Sequence, residues 1–225
     1  MIPLRSRSHR APPVLGLALA LAATLPSCSR GADTPPGSNR AAAEIAAPAL
    51  ALPATPPQPQ RELTWSGKVD MMLWSPARVK AYKVAMERET PPALAILRIP
   101  RLELEVPVYD GTSDAVLDLA AGRIEDTALP GTAGNVGIAA HRDGFFRVLK
   151  DIKEGDALVL DTPVATEQYR VEWIRITIPT DVSVIDPTPG SAVTLVGCYP
   201  FYHVGSAPQR FIVRAVPAAG SPAGT

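Results

Sequence analysis

The chain offers one thiol in its body, and that thiol ends an apolar run. Cys198 closes the stretch AVTLVGC, His141 closes NVGIAAH, and Arg210 opens RFIVRAV, twelve residues after the cysteine. Such short apolar runs read as strands, and a strand end holds a reactive group rigidly beside loops that receive a substrate. The three residue types complement one another chemically. A thiol of ordinary pKa is only about 3% thiolate at neutral pH, yet it is the strongest side-chain nucleophile. An imidazole accepts its proton and returns it to a departing amine. A guanidinium stays charged and offers several donors to a developing oxyanion. Together they form a set for acyl transfer through a thioester.

Each residue also has a plain structural reading. A single cysteine in a strand commonly acts as a small apolar filler. A disulfide with Cys28 is disfavoured, because Cys28 sits in the N-terminal segment across a proline-rich stretch. Arg210 has a rival reading as a solvated edge charge, like Arg214. His203, five residues after the cysteine, is the competing histidine; its loop, with Gly205 and Pro208, favours a place along the substrate path or facing water. Asp143 follows His141 by two residues and reads as a turn or cap residue, with orientation of the imidazole as the alternative. Phe145 and Phe146 read as core.

The elements around these residues define an organisation. The chain has 225 residues and no net charge, so composition does not suggest nucleic-acid binding. Its three histidines are scattered and no CxxC occurs, which argues against a zinc site. Residues 1–28 read as an export segment. Arg5, Arg7 and Arg10 precede an uncharged run from Val14 to Leu25, which is signal-peptide length. LPSCS then resembles the lipobox of bacterial lipoproteins, with Cys28 as the lipidation candidate and Pro26 atypical within it. A cleaved signal and an uncleaved anchor are the alternatives; all three put the body outside the cytoplasmic membrane. Residues 29–62, rich in Pro and Ala, read as a disordered tether.

Residues 63–92 are expected to be a helical segment. Ser75 is its N-cap and Pro76 its first helical residue, with Val79, Tyr82 and Met86 on one face and Pro91-Pro92 as the stop. From residue 93 to 217 strand signals follow one another. LELEVPV alternates, and QYRVEWIRITI changes apolar parity at Trp173 and Ile174, which predicts a bulge. Seven or eight short strands with few helices indicate an all-β barrel or sandwich. Residues 218–225 read as a disordered tail.

The segments LAILRIPRLELEVPVYDGT, LPGTAGNVGIAAHRDGFFRVL, IKEGD, TLVGCYPF and APQRFIVRA resemble the sortases, cysteine transpeptidases of bacterial surfaces. They occur in the family's order across residues 93–216. The resemblance is to the class D-like sortases that also occur in Gram-negative bacteria. It implies a closed eight-stranded β-barrel with a short N-terminal helix and few helical turns. It implies His141, Cys198 and Arg210 as the catalytic trio, and no cofactor; no acidic cluster argues for calcium. The implied partners are an exported protein bearing a C-terminal sorting motif, an amine acceptor, and a membrane reached through the N-terminal segment. Water is a competing acceptor. Thr194, Gly197, Tyr199 and His203 are the substrate-binding candidates. Gly197 departs from the family, where Thr often precedes the cysteine, and this bears on substrate preference.

Two rival functions share part of this pattern. L,D-transpeptidases carry Ser-His-Gly before their cysteine, where this chain has Leu195, Val196 and Gly197. A non-catalytic, peptide-binding lipoprotein of the same fold is the other rival, against which the intact Cys, His and Arg speak.

Overall fold

The computed structural model describes residues 60–219. The export segment with Cys28, the tether up to residue 59 and the tail from residue 220 lie outside the described residues.

Eight strands close into a barrel. They are β1 (Ala95–Ile99), β2 (Leu104–Asp110), β3 (Ala121–Arg123), β4 (Asn135–Ala139), β5 (Ala157–Asp161), β6 (Thr166–Thr177), β7 (Ala192–Tyr199) and β8 (Gln209–Pro217). Around the barrel the order is β1-β2-β3-β4-β7-β8-β6-β5. Closure leaves no unpaired edge. Two of the pairings, β2 with β3 and β4 with β7, are parallel. The first is bridged by the short helix α2 (Asp114–Leu119). That crossover is tight, because a methyl group on Gly122 would collide with the Gly111 carbonyl oxygen.

Alternation along each strand fills the interior. Leu97, Ile99, Val106, Val108, Ile138 and Leu195 are among the residues that build the core, joined by Phe146 from the 3-10 turn Phe145–Asp151. The expected core places of Phe145 and Phe146 are both observed. In β6, Glu167, Tyr169 and Val171 are buried, and the register with β8 then slips between Val171 and Trp173. Ile174 thereby joins the core side. The expected change of parity is a β-bulge.

The N-terminal part differs from the helical segment expected over 63–92. Only Pro76–Ala85 (α1) is helical. Ahead of it the chain runs as an irregular strap whose polar groups are met on the barrel wall. The Arg61 guanidinium pairs with Asp161 at 2.8 Å, Arg98 donates to the Thr64 carbonyl, and the Ser66 amide donates to Glu105. Arg61, assigned to the tether from composition, is therefore docked. So is Ala218 of the expected tail, whose amide donates to the Gln168 carbonyl at 2.8 Å. Ser75 caps α1 as expected, its hydroxyl accepting from the Arg78 amide at 3.1 Å. The buried face is Tyr82 and Ala85, and Met86 is 48% exposed. Tyr82 packs edge-on against Trp74 and Phe145, so an aromatic group outside the helix sets which side turns inward.

Candidate active site

Strand β7 carries Cys198 at its C-terminal end, and its two neighbours supply the other members of the expected trio. On one side β7 pairs antiparallel with β8, and Cys198 lies directly opposite Arg210. Directly paired residues have Cα atoms about 4.5–5.5 Å apart and point to the same sheet face. On the other side β7 pairs in parallel with β4, Ala139 opposite Val196. That register, carried two residues beyond the end of β4, brings His141 to the level of Cys198. The three residues line one open cleft of about 710 Å³ with Arg78, Arg142 and Arg147, Phe201 and the loop 202–207. This volume is in the range of small-molecule and peptide subsites.

Cys198 is a free, partly exposed thiol. Arg210 donates through Nη1 to the Gln209 carbonyl at 3.1 Å and the Ala207 carbonyl at 3.4 Å. No carboxylate lies within ion-pair distance of it among the described residues, so its charge remains directed at the cleft. His141 is about one-quarter exposed, with Nε2 3.6 Å from Asp118 Oδ1. Its pKa is held below the ordinary histidine value, first by burial and then by the Arg78 charge, while Asp143, Asp118 and Asp114 pull the other way. Burial and a nearby cation both disfavour the imidazolium, leaving the resting ring a neutral proton acceptor at pH 7.

Asp143 belongs to a clamp on α1. It accepts from the Ser75 hydroxyl at 2.7 Å and from Arg78 Nε at 3.2 Å. Its own pKa is lowered: burial alone would raise it, and the Ser75 hydrogen bond and the Arg78 charge outweigh that. The loop between β7 and β8 is held in a similar way. Arg142 donates to the carbonyls of His203 and Gly205 at 3.0 and 2.7 Å, and Arg147 donates to the Phe201 carbonyl while its guanidinium lies 4.5 Å from the Tyr202 ring centre.

The four substrate-binding candidates separate. His203 is exposed and lines the cleft. Thr194 is fully buried, its hydroxyl donating to Asn135 Oδ1 at 2.8 Å and accepting from Arg214 at 3.1 Å. It is outside the cleft lining, because the same β7 face is covered there by the segment 184–186, whose carbonyls hold Asn135. Tyr199 is also outside the lining. Alternation turns it away from Cys198, and it packs with Phe211 and Phe201 behind the wall. Gly197 faces inward for the same reason. A methyl group there would rest 3.9 Å from Phe146 and 4.0 Å from the Phe211 carbonyl oxygen, which is ordinary contact. Gly197→Ala is therefore expected to fold and to gain about 0.4–1 kcal/mol by restricting the unfolded chain. Thermal unfolding checks this: a lower melting temperature than the parent's would contradict the inward fit.

Sequence reasoning missed Arg78, Asp118, Arg142 and Arg147. The pair Asp114 and Asp118 was the available signal, since a spacing of four puts both carboxylates on one face of a helical turn.

A Sortase domain model matches residues 97–218, the barrel with its cleft. The chain belongs to the sortase family. Sortase D of Bacillus subtilis (strain 168) is 32% identical over 132 residues, covering 58% of this chain and 67% of its own length. The structure of a Clostridium perfringens sortase D5 transpeptidase aligns at 25% identity and a TM-score of 0.52, over 63% of this chain and 89% of that one. Sortase E1 from Streptomyces coelicolor, solved with a tripeptide in its active site, aligns at 29% identity and 0.51, over 58% and 90%. The closed eight-stranded barrel is thus the sortase architecture, and the family consists of transpeptidases that act on exported proteins at the cell envelope.

Proposed function

We propose that this sortase is a class D-like enzyme, of the type also found in Gram-negative bacteria, that joins an exported protein to an amine through a thioacyl intermediate on Cys198. Cys198 attacks a backbone carbonyl in a short sorting motif near the C-terminus of the substrate, giving its proton to His141. The C–N bond breaks, and His141 returns that proton to the departing amine. A second amine then attacks the thioester and gives a proton to His141; the C–S bond breaks, the new amide departs, and His141 returns the proton to the sulfur, restoring the thiol. Arg210 faces the oxyanion in both halves, and water in place of the amine gives hydrolysis. The enzyme works outside the cytoplasmic membrane, held there by its N-terminal segment through lipid on Cys28 or through an uncleaved anchor.

The observation that carries this reading is the register around Cys198, with the histidine-bearing loop beyond one neighbouring strand and the arginine on the other. The kinship with Sortase D and a sortase D5 transpeptidase supports the class, and the tripeptide held by Sortase E1 supports a peptide occupant. The test is labelling of the full chain with a thiol-reactive probe at neutral pH, read by mass spectrometry, alongside product formation from a panel of sorting-motif peptides and an amine. Adduct on Cys198 that slows in His141→Ala, with amide product in the parent, is expected. An unreactive Cys198 without product would leave a peptide-binding protein of the same fold.

A further inference from the structure

Behind His141 and Arg78 of the cleft lining stands a carboxylate with two claimants. Asp118 Oδ1 is 3.6 Å from His141 Nε2, and the same oxygen accepts from Arg78 Nη1. Arg78 reaches on through Nε to Asp143 at 3.2 Å. None of the four is freely solvated: side-chain exposure is 16% for Arg78, 26% for His141, 28% for Asp143 and 30% for Asp118. Asp118 sits in the last turn of α2, next to the negative end of that helix, where a carboxylate is disfavoured without a cation beside it. Arg78, from the separate helix α1, supplies that cation.

We propose that Asp118 is the positioning residue of His141, and that Arg78 regulates how much of its carboxylate the imidazole receives. This rests on the reading of His141 as the proton carrier. With Nε2 turned toward α2, Nδ1 is the nitrogen left to serve Cys198. A base oriented by a third group on its far nitrogen is the general logic of activated nucleophiles. Here the third group is shared. While Arg78 holds Asp118, the imidazole is favoured neutral and ready to accept a proton. Once it has accepted one, the same carboxylate is in place to stabilise the charge. Arg78 is carried by α1, which is fixed by Ser75 to Asp143 and by Tyr82 to the aromatic group, so seating of the N-terminal helix is coupled to the reactivity of the cleft.

The charged and titratable groups around His141 are Arg78 on α1, Asp114 and Asp118 on α2, Arg142 and Asp143 on its own loop, and Arg147, Cys198, His203 and Arg210 across the cleft. The two partners act on the ring with opposite sign. Asp118→Asn removes an anion and must lower the midpoint of His141 titration. Arg78→Gln removes a cation, frees Asp118 for the ring and must raise it. Both are measured by NMR of the histidine ring protons in the full chain carrying Cys198→Ala, with no substrate. His9 and His203 are separated from His141 by His→Gln variants. In the active background Asp118→Asn should lower kcat roughly tenfold, part of the acid–base contribution, with KM within about twofold, and Asp118→Glu should restore most of it. Unchanged midpoints, or midpoints moving in the same direction, would overturn the proposal. If Asp118→Asn fails to fold by circular dichroism, Asp118→Glu and Arg78→Gln still decide it. Because the titration needs no turnover, its failure is distinct from failure of the transpeptidase reading, which the activity of the parent enzyme decides.

Discussion

Cys198→Ala is expected to reduce amide exchange to background while leaving the barrel and its melting temperature nearly unchanged. The two halves of that expectation rest on different parts of the molecule. Strand β7 is held by backbone pairing on both sides, from Val193 opposite Ala215 to Tyr199 opposite Gln209, and against β4 from Asn135 to Ala139. None of those hydrogen bonds involves the sulfur. Cys198 is partly exposed at the cleft, so trimming it to a methyl group leaves no closed cavity. Changes of that kind usually stay within about 0.5 kcal/mol. The nucleophile, by contrast, has no substitute. In enzymes of this logic its loss costs on the order of 10⁴–10⁶ in kcat, with only residual catalysis from binding and the oxyanion site. Product formation from a sorting-motif peptide and an amine, compared with thermal unfolding of the same variant, gives both readings. Exchange at the parent rate in Cys198→Ala would remove the thiol from the mechanism and the thioacyl route with it.

The reach of the sequence follows from the range of each signal. Strand periodicity is local, so LELEVPV and the parity change in QYRVEWIRITI announced β2 and the β6 bulge. Cys198, His141 and Arg210 stood out as candidates because each ends or opens an apolar run, and reactive types at such places are uncommon. Register is not local. Nothing within β4 or β7 alone says that they pair in parallel with Ala139 beside Val196, yet that pairing decides which loop faces the thiol. The same limit explains the misplaced candidates. Thr194 and Cys198 share a face of β7, but Asn135 of β4, 59 residues away, and the segment 184–186 that it holds cover only the first of them. Tyr199 and Gly197 adjoin Cys198 in sequence and point the other way, as alternation requires. Asp118 was missed because the six residues of α2 are too few to show a period, and Arg78 of α1 because its partners Asp118 and Asp143 lie across the fold.

Arg210→Ala is expected to lower kcat by roughly 10²–10³, the usual cost of removing one oxyanion donor, with a much smaller change in KM. The argument begins with position. Arg210 is opposite Cys198 across a backbone pair, so its Cα cannot drift from the thiol without breaking the β7–β8 ladder. On its other side it pairs with Thr177 of β6, which fixes the strand from behind. The side chain has no anionic partner among the described residues and rests on two carbonyls, contacts that a stronger acceptor can replace. A charge held near the reacting atoms without a counter-charge gains most when an oxyanion develops, which is why the loss should fall on kcat. Arg210→Lys separates charge from geometry. The ammonium keeps the charge but loses the planar fork, so it should recover only part of the lost rate. Full activity in the lysine variant would mean that charge alone is required. Full activity in the alanine variant would return Arg210 to the role of an edge residue, leaving the thiol and imidazole to carry the reaction by themselves.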